Sequence, residues 1–441
     1  MDAYEGFREF VLASGSALSR AAYGLPSAER ARMLAARLGP RELPPGSKWL
    51  GSLSGVREVT SSKLRDVGTT IFTEMTALAK RTGAVNLGQG FPDTDGPPAV
   101  LAAAQKAIAT GLNQYPPLDG LPELREAIVD TRREHYGQEL EEVLVTAGAT
   151  EALAAALIAL CEPGDEVVVF EPYYDSYLAN LAMAGAVRRP VQLRPMGDAF
   201  GFDPDELRAA ITPRAKLLLL NTPHNPTGKV FTRAELEFVA GLCREHDLIA
   251  VTDEVYEHLI YSGAQHIPLA TLPGMAERTL TISSAGKTFS VTGWKVGWAC
   301  GPAPLVSATR KAKQFLTFAG GTPFHSAVAH GLRHEMGWVS ALRDDLQSRR
   351  DRLRAGLQAC GARTFPCEGT YFLQIDARSL GYDDGVELCH VLAHKAGVVA
   401  IPAQVFFDDE AAGRRYVRFA FCKSDAVLDE AIQRLSSFGG V

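Results

Sequence analysis

The sequence lacks several features that would define other classes of protein. Its seven cysteines are odd in number and show no paired spacing, which favours free thiols in a reducing compartment over a disulfide framework or a metal site. No apolar run is long enough to cross a bilayer, and Arg8 and Arg20 interrupt the apolar residues of the N-terminus. We therefore expect a cytoplasmic protein that binds no metal and no membrane.

An excess of charge of one sign is also missing. The 441 residues carry a formal net charge of −6, and the pI is about 6.0. Such a chain gives no indication of a nucleic-acid partner or of an anionic membrane surface. Hydrophobic residues make up 46% of the sequence, so the chain can bury a large core and form two or three domains.

What the sequence does contain is an alternation of short apolar strands and helices in its middle part. The pattern predicts strands at residues 143–146, 166–170, 217–220 and 248–252, with helical segments between them. Uniformly apolar strands separated by helices imply an α/β fold with a mostly parallel sheet that helices cover on both faces. In such sheets, ligands bind beyond the carboxyl ends of the strands.

The rest of the chain flanks this predicted sheet. We expect a helical extension at residues 1–60, a large domain at 101–330, and a small α+β domain made of 61–100 together with 331–441. The extension has no basic cluster and no clear recognition helix. A helical pair that packs on the body or on a partner subunit is therefore favoured over a DNA-binding module.

One lysine stands at the centre of the functional prediction. Residues 279–298 read as a β-branched strand, a small-residue loop that carries Lys287, and a second strand that begins at Lys295. Desolvation, and the nearby cation of Lys295, would lower the pKa of the Lys287 amine toward neutrality, as a Schiff-base lysine requires. Taken alone, Lys287 is more simply a loop lysine that reaches water.

Three further features fall at the same edge of the predicted sheet. Small residues at 147–150 open a long Ala/Leu helix, whose free N–H groups and dipole suit a phosphate group. Asp253 ends a buried strand, and Tyr256 follows it. Singly these are most simply caps, ion-pair partners and packing residues. Together with Lys287 they supply what pyridoxal phosphate needs: an anion site, a carboxylate for the ring nitrogen, a phenol and an amine.

Four motifs then carry a family resemblance: L-G-Q-G-F-P-D, N-P-T-G, D-E-V-Y and S-S-A-G-K-T-F-S-V-T-G-W-K-V-G-W. In these motifs, and over about residues 69–435, the chain resembles the class I and II aminotransferases of pyridoxal-phosphate fold type I. The resemblance implies a seven-stranded, mostly parallel sheet with a smaller α+β domain. It also implies a homodimer with shared active sites, which moves an amino group between an L-amino acid and a 2-oxo acid by a ping-pong mechanism.

The resemblance also implies roles for individual residues. Lys287 would bind the cofactor aldehyde and later move the proton, Asp253 would pair with the ring nitrogen, and Tyr256 would bond the ring oxygen. The other implied cofactor contacts are Gly148, Ala149, Thr150, Ser284 and Lys295 at the phosphate, with Tyr115 of the partner subunit, Asn225 at the ring oxygen, and Tyr174 on the ring face. The implied substrate contacts are Arg418 at the carboxylate, with Gly90, Asn225 and Phe72 around it.

Within the family, G-Q-G-F-P-D and S-A-G-K-T-F-S-x-T-G-W-K resemble the kynurenine, glutamine and methionine transaminases. Wider phrases, such as N-Q-Y-P-P and G-W-A-C-G-P, look closest to an actinobacterial group of N-succinyldiaminopimelate aminotransferases. N-succinyl-LL-diaminopimelate with 2-oxoglutarate is therefore one expected substrate pair. Ala319 stands where some kynurenine enzymes present a histidine from the partner subunit, which argues against kynurenine. Two alternatives stay open: a β/γ-elimination or replacement enzyme, similar to cysteine-conjugate lyases or using SAM, and a non-catalytic, cofactor-sensing regulator.

Overall fold

The structure is a computed structural model that describes residues 60–65, 68, 70–197 and 199–438. The chain divides into two units, Met1–Gly68 and Thr69–Val441. Of the first unit, only the short stretch around the 3₁₀ turn Ser62–Leu64 is described, so the predicted extension at residues 1–60 lies almost wholly outside the described residues. All features below belong to the second unit.

A seven-stranded sheet forms the centre of this unit, as the resemblance implied. Six of its strands run parallel, and the strand Val296–Gly301 runs antiparallel to both of its neighbours. The strands lie side by side in this order: Glu142–Ala147, Val296–Gly301, Thr279–Ser284, Ile249–Asp253, Ala215–Asn221, Glu166–Glu171 and Val187–Gln192.

Helices cover this sheet on both faces, because its inner strands are apolar on both sides. Leu219 packs in a core that contains helix Gly148–Leu160, whereas the next residue, Leu220, packs in a second core with helix Arg233–Glu245. Successive side chains of a strand point to opposite faces, so one continuous apolar run supplies both cores.

The α-helices vary from a single turn to more than six turns. They span Ile71–Thr82, Pro98–Ala109, Pro122–Tyr136, Gly148–Leu160, Asp175–Ala184, Pro204–Ala210, Arg233–Glu245, Ala285–Thr288, Ala303–Leu316, Thr322–His334, Met336–Ala359, Gly385–Val391, Glu410–Gly413 and Asp425–Ser436. Across the part of the chain that the structure describes, none of the helices combines the length and the apolar character needed to cross a membrane.

Three smaller sheets complete the unit. An antiparallel sheet of four strands has the order Arg363–Thr364, Phe372–Asp376, Tyr416–Ala420 and Ile401–Pro402. Val85–Asn86 pairs in parallel with Val398–Val399, and Arg194–Met196 pairs with Ala199–Gly201 in a hairpin. The four-stranded sheet matters for function because it carries Arg418.

Two details of the predicted lysine segment were wrong. Lys287 lies on a single helical turn, Ala285–Thr288, which the Phe289 N–H closes by donating to the Ala285 carbonyl, and not on a loop. The second strand begins at Val296 and not at Lys295. Lys295 adopts a left-handed backbone with φ of 53°, which a strand residue cannot have.

Candidate active site

A cavity of about 260 Å³ opens at the carboxyl ends of the parallel strands. Every site residue predicted from the sequence lines it except Tyr115. These residues are Phe72, Gly90, Gly148, Ala149, Thr150, Tyr174, Asn225, Asp253, Tyr256, Ser284, Lys287, Lys295 and Arg418. Phe72 and Arg418, which are 346 positions apart in sequence, thus face the same cavity. The parallel topology explains why the residues that follow strands come together there.

The Lys287 amine projects into this cavity from the helical turn that follows strand Thr279–Ser284. Its Nζ donates to the hydroxyl of Tyr371 at 2.8 Å and to the carbonyl of Gly90 at 3.4 Å. Desolvation lowers the pKa of this amine to about 8, and the positive charge of Arg418 acts in the same direction. The unprotonated form, which a nucleophile and base requires, is therefore reached closer to neutral pH than in an exposed lysine.

The carboxylate of Asp253 lies at the end of strand Ile249–Asp253 with 4% of its surface exposed. The Tyr177 hydroxyl donates to its Oδ2 at 2.6 Å, and the Val255 N–H donates to Oδ1 at 3.4 Å. Burial raises the pKa of Asp253 to about 6, although these hydrogen bonds oppose the shift. A cation beside Asp253 would restore its ionised form.

Two tyrosines from the prediction border the same space. Tyr256 is buried, and burial raises the pKa of its phenol, so it stays a neutral hydrogen-bonding group. Tyr174 precedes the helix Asp175–Ala184, and its ring stands at 84° to that of Tyr177 at a centroid distance of 5.9 Å. Tyr174 and Tyr256 line the cavity together with Asp253, and aromatic side chains suit a planar ligand.

One end of the cavity is built from backbone. Helix Gly148–Leu160 begins there, and the Lys295 amine donates to Thr150 Oγ1 at 3.4 Å. Strand Val296–Gly301 approaches the helix start so closely that a Cβ on Gly297 would lie 2.5 Å from the carbonyl carbon of Gly148. The free N–H groups of the first helical turn and the ammonium of Lys295 make this end an anion site.

The other end is formed around Arg418, which lies on strand Tyr416–Ala420 with 1% of its surface exposed. Its guanidinium donates to Asn225 Oδ1 at 2.9 Å and to the Gly88 carbonyl at 3.1 Å, and it lies 4.0 Å above the Phe372 ring. Its Nε has no hydrogen-bond partner within residues 60–438 as described. Burial lowers the pKa of Arg418 to about 10. A carboxylate would satisfy this cation.

This set of groups fits pyridoxal phosphate bound between the two ends. The start of helix Gly148–Leu160 and the ammonium of Lys295, which both line the cavity, suit the phosphate group. The buried carboxylate of Asp253 suits a protonated ring nitrogen, and Lys287 suits an aldehyde. Arg418 is left for a second anion, the carboxylate of a substrate.

Tyr115 is the one predicted residue that the structure does not bring to the cavity. Its side chain is 78% exposed and contacts the Phe318 ring edge-on at a centroid distance of 5.6 Å. The loop that carries it is fixed from two sides: Lys313 donates to the Leu118 carbonyl at 2.6 Å, and Thr322 donates to the Gln114 carbonyl at 2.7 Å. Tyr115 therefore lies outside the cavity of its own subunit, on a loop that is held by hydrogen bonds.

The sequence interpretation missed several residues at the cavity. Tyr177 could have been found, since it follows Tyr174 by three positions at the start of a helix and so shares its face. Tyr371 and Phe372 gave no comparable signal. They lie 84 and 85 residues beyond Lys287 in the chain, and only the folding of the four-stranded sheet brings them near it.

A second buried cluster includes Glu254, the residue that follows Asp253 in the chain. Arg132 donates to Glu254 Oε2 at 2.8 Å and also pairs with Glu257, and all three side chains are at most 2% exposed. His266 lies 3.1 Å from the same Glu254 oxygen. Three of these side chains could hold a metal by position alone, but the two carboxylates already neutralise the guanidinium of Arg132. We assign this cluster to the support of the strand end that carries Asp253.

Comparison with known proteins gives consistent matches over most of the chain. The family model of aminotransferase class I and II matches residues 82–435. The probable N-succinyldiaminopimelate aminotransferase DapC of Mycobacterium tuberculosis is 55% identical over 390 residues, which cover 86% of this chain and 98% of that protein. Methionine aminotransferase of Escherichia coli is 41% identical over 380 residues, with the same two coverages. The solved structure of N-succinyldiaminopimelate aminotransferase from Mycobacterium tuberculosis superposes with a TM-score of 0.84 at 55% identity, covering 86% of this chain and 100% of that one.

Proposed function

The chain belongs to the class I and II aminotransferase family, and from this premise we propose the roles of its site residues and the class of its substrate. It is a pyridoxal-phosphate-dependent enzyme that moves an amino group between an L-amino acid and a 2-oxo acid by a ping-pong mechanism. The single observation that supports the residue roles is that Lys287, Asp253 and Arg418 face one cavity.

The bound cofactor supplies an aldehyde that takes up amines and a ring that accepts the electrons of a broken Cα–H bond. In our proposal Lys287 is the Schiff-base lysine, and its Nζ also takes up and returns the proton of the reacting carbon. The lowered pKa of this amine keeps both of its protonation states accessible near neutral pH. Asp253 keeps the ring nitrogen protonated, and Tyr177 fixes the orientation of that carboxylate.

The remaining residues bind and orient. The helix start at Gly148, Ala149 and Thr150, with Ser284 and Lys295, holds the phosphate. Tyr174 packs on the ring face, and Asn225 and Tyr256 bond the ring oxygen. Arg418 binds the substrate α-carboxylate beside Gly90 and Phe72, since it is a buried cation with a free N–H.

The proposed donor and acceptor are N-succinyl-LL-diaminopimelate and 2-oxoglutarate. The relative that carries the N-succinyldiaminopimelate name is 55% identical, against 41% for the methionine enzyme, which supports this choice. Neither the elimination enzyme nor the cofactor-sensing regulator is favoured by the comparisons.

We further propose a cytoplasmic homodimer. The exposed Tyr115, fixed on an ordered loop, supports a partner subunit whose phosphate it contacts. All seven cysteines are free and buried, which supports a reducing compartment. The division into residues 61–100 with 331–441 and 101–330 stays a proposal, supported by the separate seven-stranded and four-stranded sheets.

The role of Lys287 is tested by Lys287→Ala, with Lys311→Ala as the control at an exposed lysine. We expect the first variant to lose turnover by a factor of about 10³ or more, because the nucleophile and the general base are removed together, and the control to keep it. Unchanged turnover in Lys287→Ala would end the proposed mechanism.

The substrate is tested by a donor screen with 2-oxoglutarate as acceptor. N-succinyl-LL-diaminopimelate, methionine and kynurenine are compared by kcat/KM, and we expect the first to be highest. A higher value for methionine or kynurenine would replace the proposed donor while leaving the aminotransferase assignment in place. Release of pyruvate and ammonia without any 2-oxo acid would instead indicate elimination.

A further inference from the structure

We propose that Tyr371 is a positioning residue for Lys287. Its hydroxyl binds the Lys287 amine whenever that amine is not bonded to the cofactor, and holds it in place for proton transfer. The inference rests on the proposed role of Lys287 and adds a residue that no family motif in the sequence indicated. It is carried by a three-atom arrangement at the rim of the cavity.

The arrangement joins Lys287 Nζ, Tyr371 Oη and the Gly90 carbonyl oxygen. Nζ donates to Oη at 2.8 Å, Oη donates its own hydrogen to the Gly90 oxygen at 2.6 Å, and Nζ lies 3.4 Å from that same oxygen. The hydroxyl is thus oriented by Gly90, with a lone pair directed at the amine. Two N–H groups of the Lys287 amine donate to these two oxygens. The remaining position on Nζ, which is a lone pair in the neutral amine, is left for the cavity.

The hydroxyl of Tyr371 is held rigidly. Its side chain is 1% exposed, and its ring contacts those of Tyr256 and Phe372 edge-on at centroid distances of 5.2 and 4.9 Å. The preceding residue, Thr370, has a left-handed backbone with φ of 67°, and its N–H donates to the Leu259 carbonyl at 2.8 Å. A residue in this conformation persists only where its surroundings fix it.

Gly90 is equally fixed on the other side. A Cβ on Gly90 would lie 2.5 Å from Cζ of Phe372, so only glycine allows its carbonyl to approach Tyr371 this closely. The position of the amine is therefore set by groups that do not move with the lysine chain. This matters because a free lysine side chain has four rotatable bonds, and ordering it before the reaction removes an entropic cost from the proton-transfer step.

Tyr371 acts here by hydrogen bonding and not as a base. Burial raises the pKa of its phenol well above the usual value, so the hydroxyl stays protonated at neutral pH. It accepts from Lys287 and donates to Gly90, and the proton that moves in the reaction is taken up and returned by Nζ alone. The hydroxyl of Tyr371 keeps its own proton throughout.

The test is Tyr371→Phe, which removes one hydroxyl and keeps the ring. The matched control is Tyr261→Phe, because the Tyr261 hydroxyl is also buried and donates to the carbonyl of Thr370, the residue next to Tyr371. Tyr371→Phe loses the hydrogen bonds to Lys287 and Gly90, and Tyr261→Phe loses the one to Thr370. Each variant removes one buried hydroxyl from the same segment, so we expect small losses of thermal stability in both. Only Tyr371 touches the amine.

Two measurements separate the variants. The first is the rate at which cofactor-free protein attaches added pyridoxal 5′-phosphate, followed by visible absorbance. We expect it to fall about tenfold in Tyr371→Phe and to stay unchanged in Tyr261→Phe. The second is the isotope effect of an α-deuterated amino donor. We expect it to rise in Tyr371→Phe as kcat falls about tenfold with little change in KM, because proton transfer becomes slower.

The outcomes distinguish this inference from the proposed function. Loss of turnover in Lys287→Ala, with an unchanged attachment rate and isotope effect in Tyr371→Phe, would overturn the role of Tyr371 alone. Equal changes in Tyr261→Phe would also overturn it, since the effect would then be structural. Full turnover in Lys287→Ala would remove the proposed function and the inference together.

Discussion

Two arginines of this enzyme are almost completely buried, and they are treated in opposite ways. Arg132 pairs with the carboxylates of Glu254 and Glu257, and these charges outweigh its desolvation and raise its pKa. Arg418 has an amide, a carbonyl and aromatic rings around it, and no carboxylate within ion-pair distance in the described residues; burial lowers its pKa to about 10.

The same contrast holds for two acids that are neighbours in sequence. Burial would favour the neutral form of Glu254, but Arg132 overrides it and lowers the pKa of Glu254 to about 2. Asp253 receives a phenol hydrogen bond and no ion pair from the chain as described, and burial raises its pKa to about 6. A buried charge neutralised by the chain supports the fold, whereas one left without an opposite charge is available to a ligand.

The largest effect is expected for Arg132→Met, which should lower the stability of the fold. Removing the guanidinium leaves two buried carboxylates without a counter-charge, which should lower the free energy of unfolding by about 3–5 kcal/mol. Urea unfolding of the cofactor-free protein measures it. Arg133→Met is the control, because Arg133 is half exposed with surface partners, and its loss should cost less than about 1 kcal/mol.

Arg418→Met should show the reverse behaviour. The free energy of unfolding should change by less than about 1 kcal/mol, since an apolar side chain replaces a buried cation without a counter-charge. The value of kcat/KM for the amino donor should fall roughly 30- to 5000-fold, because the substrate carboxylate loses its partner. This corresponds to a loss of about 2–5 kcal/mol of transition-state stabilisation. A loss of stability as large as that of Arg132→Met would contradict the comparison.

The pH dependence of stability sharpens the contrast between the acids. Because the pKa of Asp253 is raised from 3.8 to about 6, the native cofactor-free protein binds more protons than the unfolded chain between about pH 4 and 6. Its stability contribution is present below pH 4 and is lost as pH rises through 6, by about 2–3 kcal/mol. Asp253→Asn should remove this decline in urea unfolding across that range.

The pKa of Glu254 is shifted in the opposite direction, so its contribution to the free energy of unfolding has the opposite pH dependence. Its pKa is lowered from 4.5 to about 2, so its contribution is present above pH 4.5 and is lost as pH falls through 2. If Asp253→Asn left the decline between pH 4 and 6 unchanged, the raised pKa of Asp253 would not be its cause.

The smallest of these effects is expected for Arg418→Lys. The charge is kept, but the planar guanidinium, which can bind Asn225, Gly88 and a carboxylate at the same time, is replaced by a compact ammonium. We expect kcat/KM to fall about tenfold, mainly because KM increases. A loss equal to that of Arg418→Met would indicate that geometry and not charge dominates the recognition of the carboxylate.

The positions at the ends of strands were predictable from the sequence. Asp253, the Gly148 helix start and the Lys287 turn each follow an apolar run, and the carboxyl ends of parallel strands share one edge of a sheet. The order of these runs was therefore enough to place the residues together. The helical turn at Lys287 was not predicted, because four residues carry too little periodicity to identify.

The residues that tune the site were not predictable in the same way. Arg132 pairs with Glu254 and Glu257, which lie 122 and 125 positions further along the chain. In the sequence, charged residues on a helix ordinarily indicate a solvated face. Arg418 was placed by family resemblance, and its lack of a counter-charge became visible only in the folded chain. The same holds for Tyr371, whose partner Lys287 lies 84 positions away.

The reversed strand Val296–Gly301 has a consequence for the spacing of the two active-site amines. An antiparallel strand starts at the edge where its parallel neighbours finish, so the chain turns after Lys287 and re-enters the sheet beside it. The length of the turn between Lys287 and Lys295 therefore sets the distance between the two amines, which we propose to bind the aldehyde and the phosphate of the cofactor. One inserted residue would displace one amine against the other by up to about 3.5 Å, so the length of this turn is a stricter requirement than its composition.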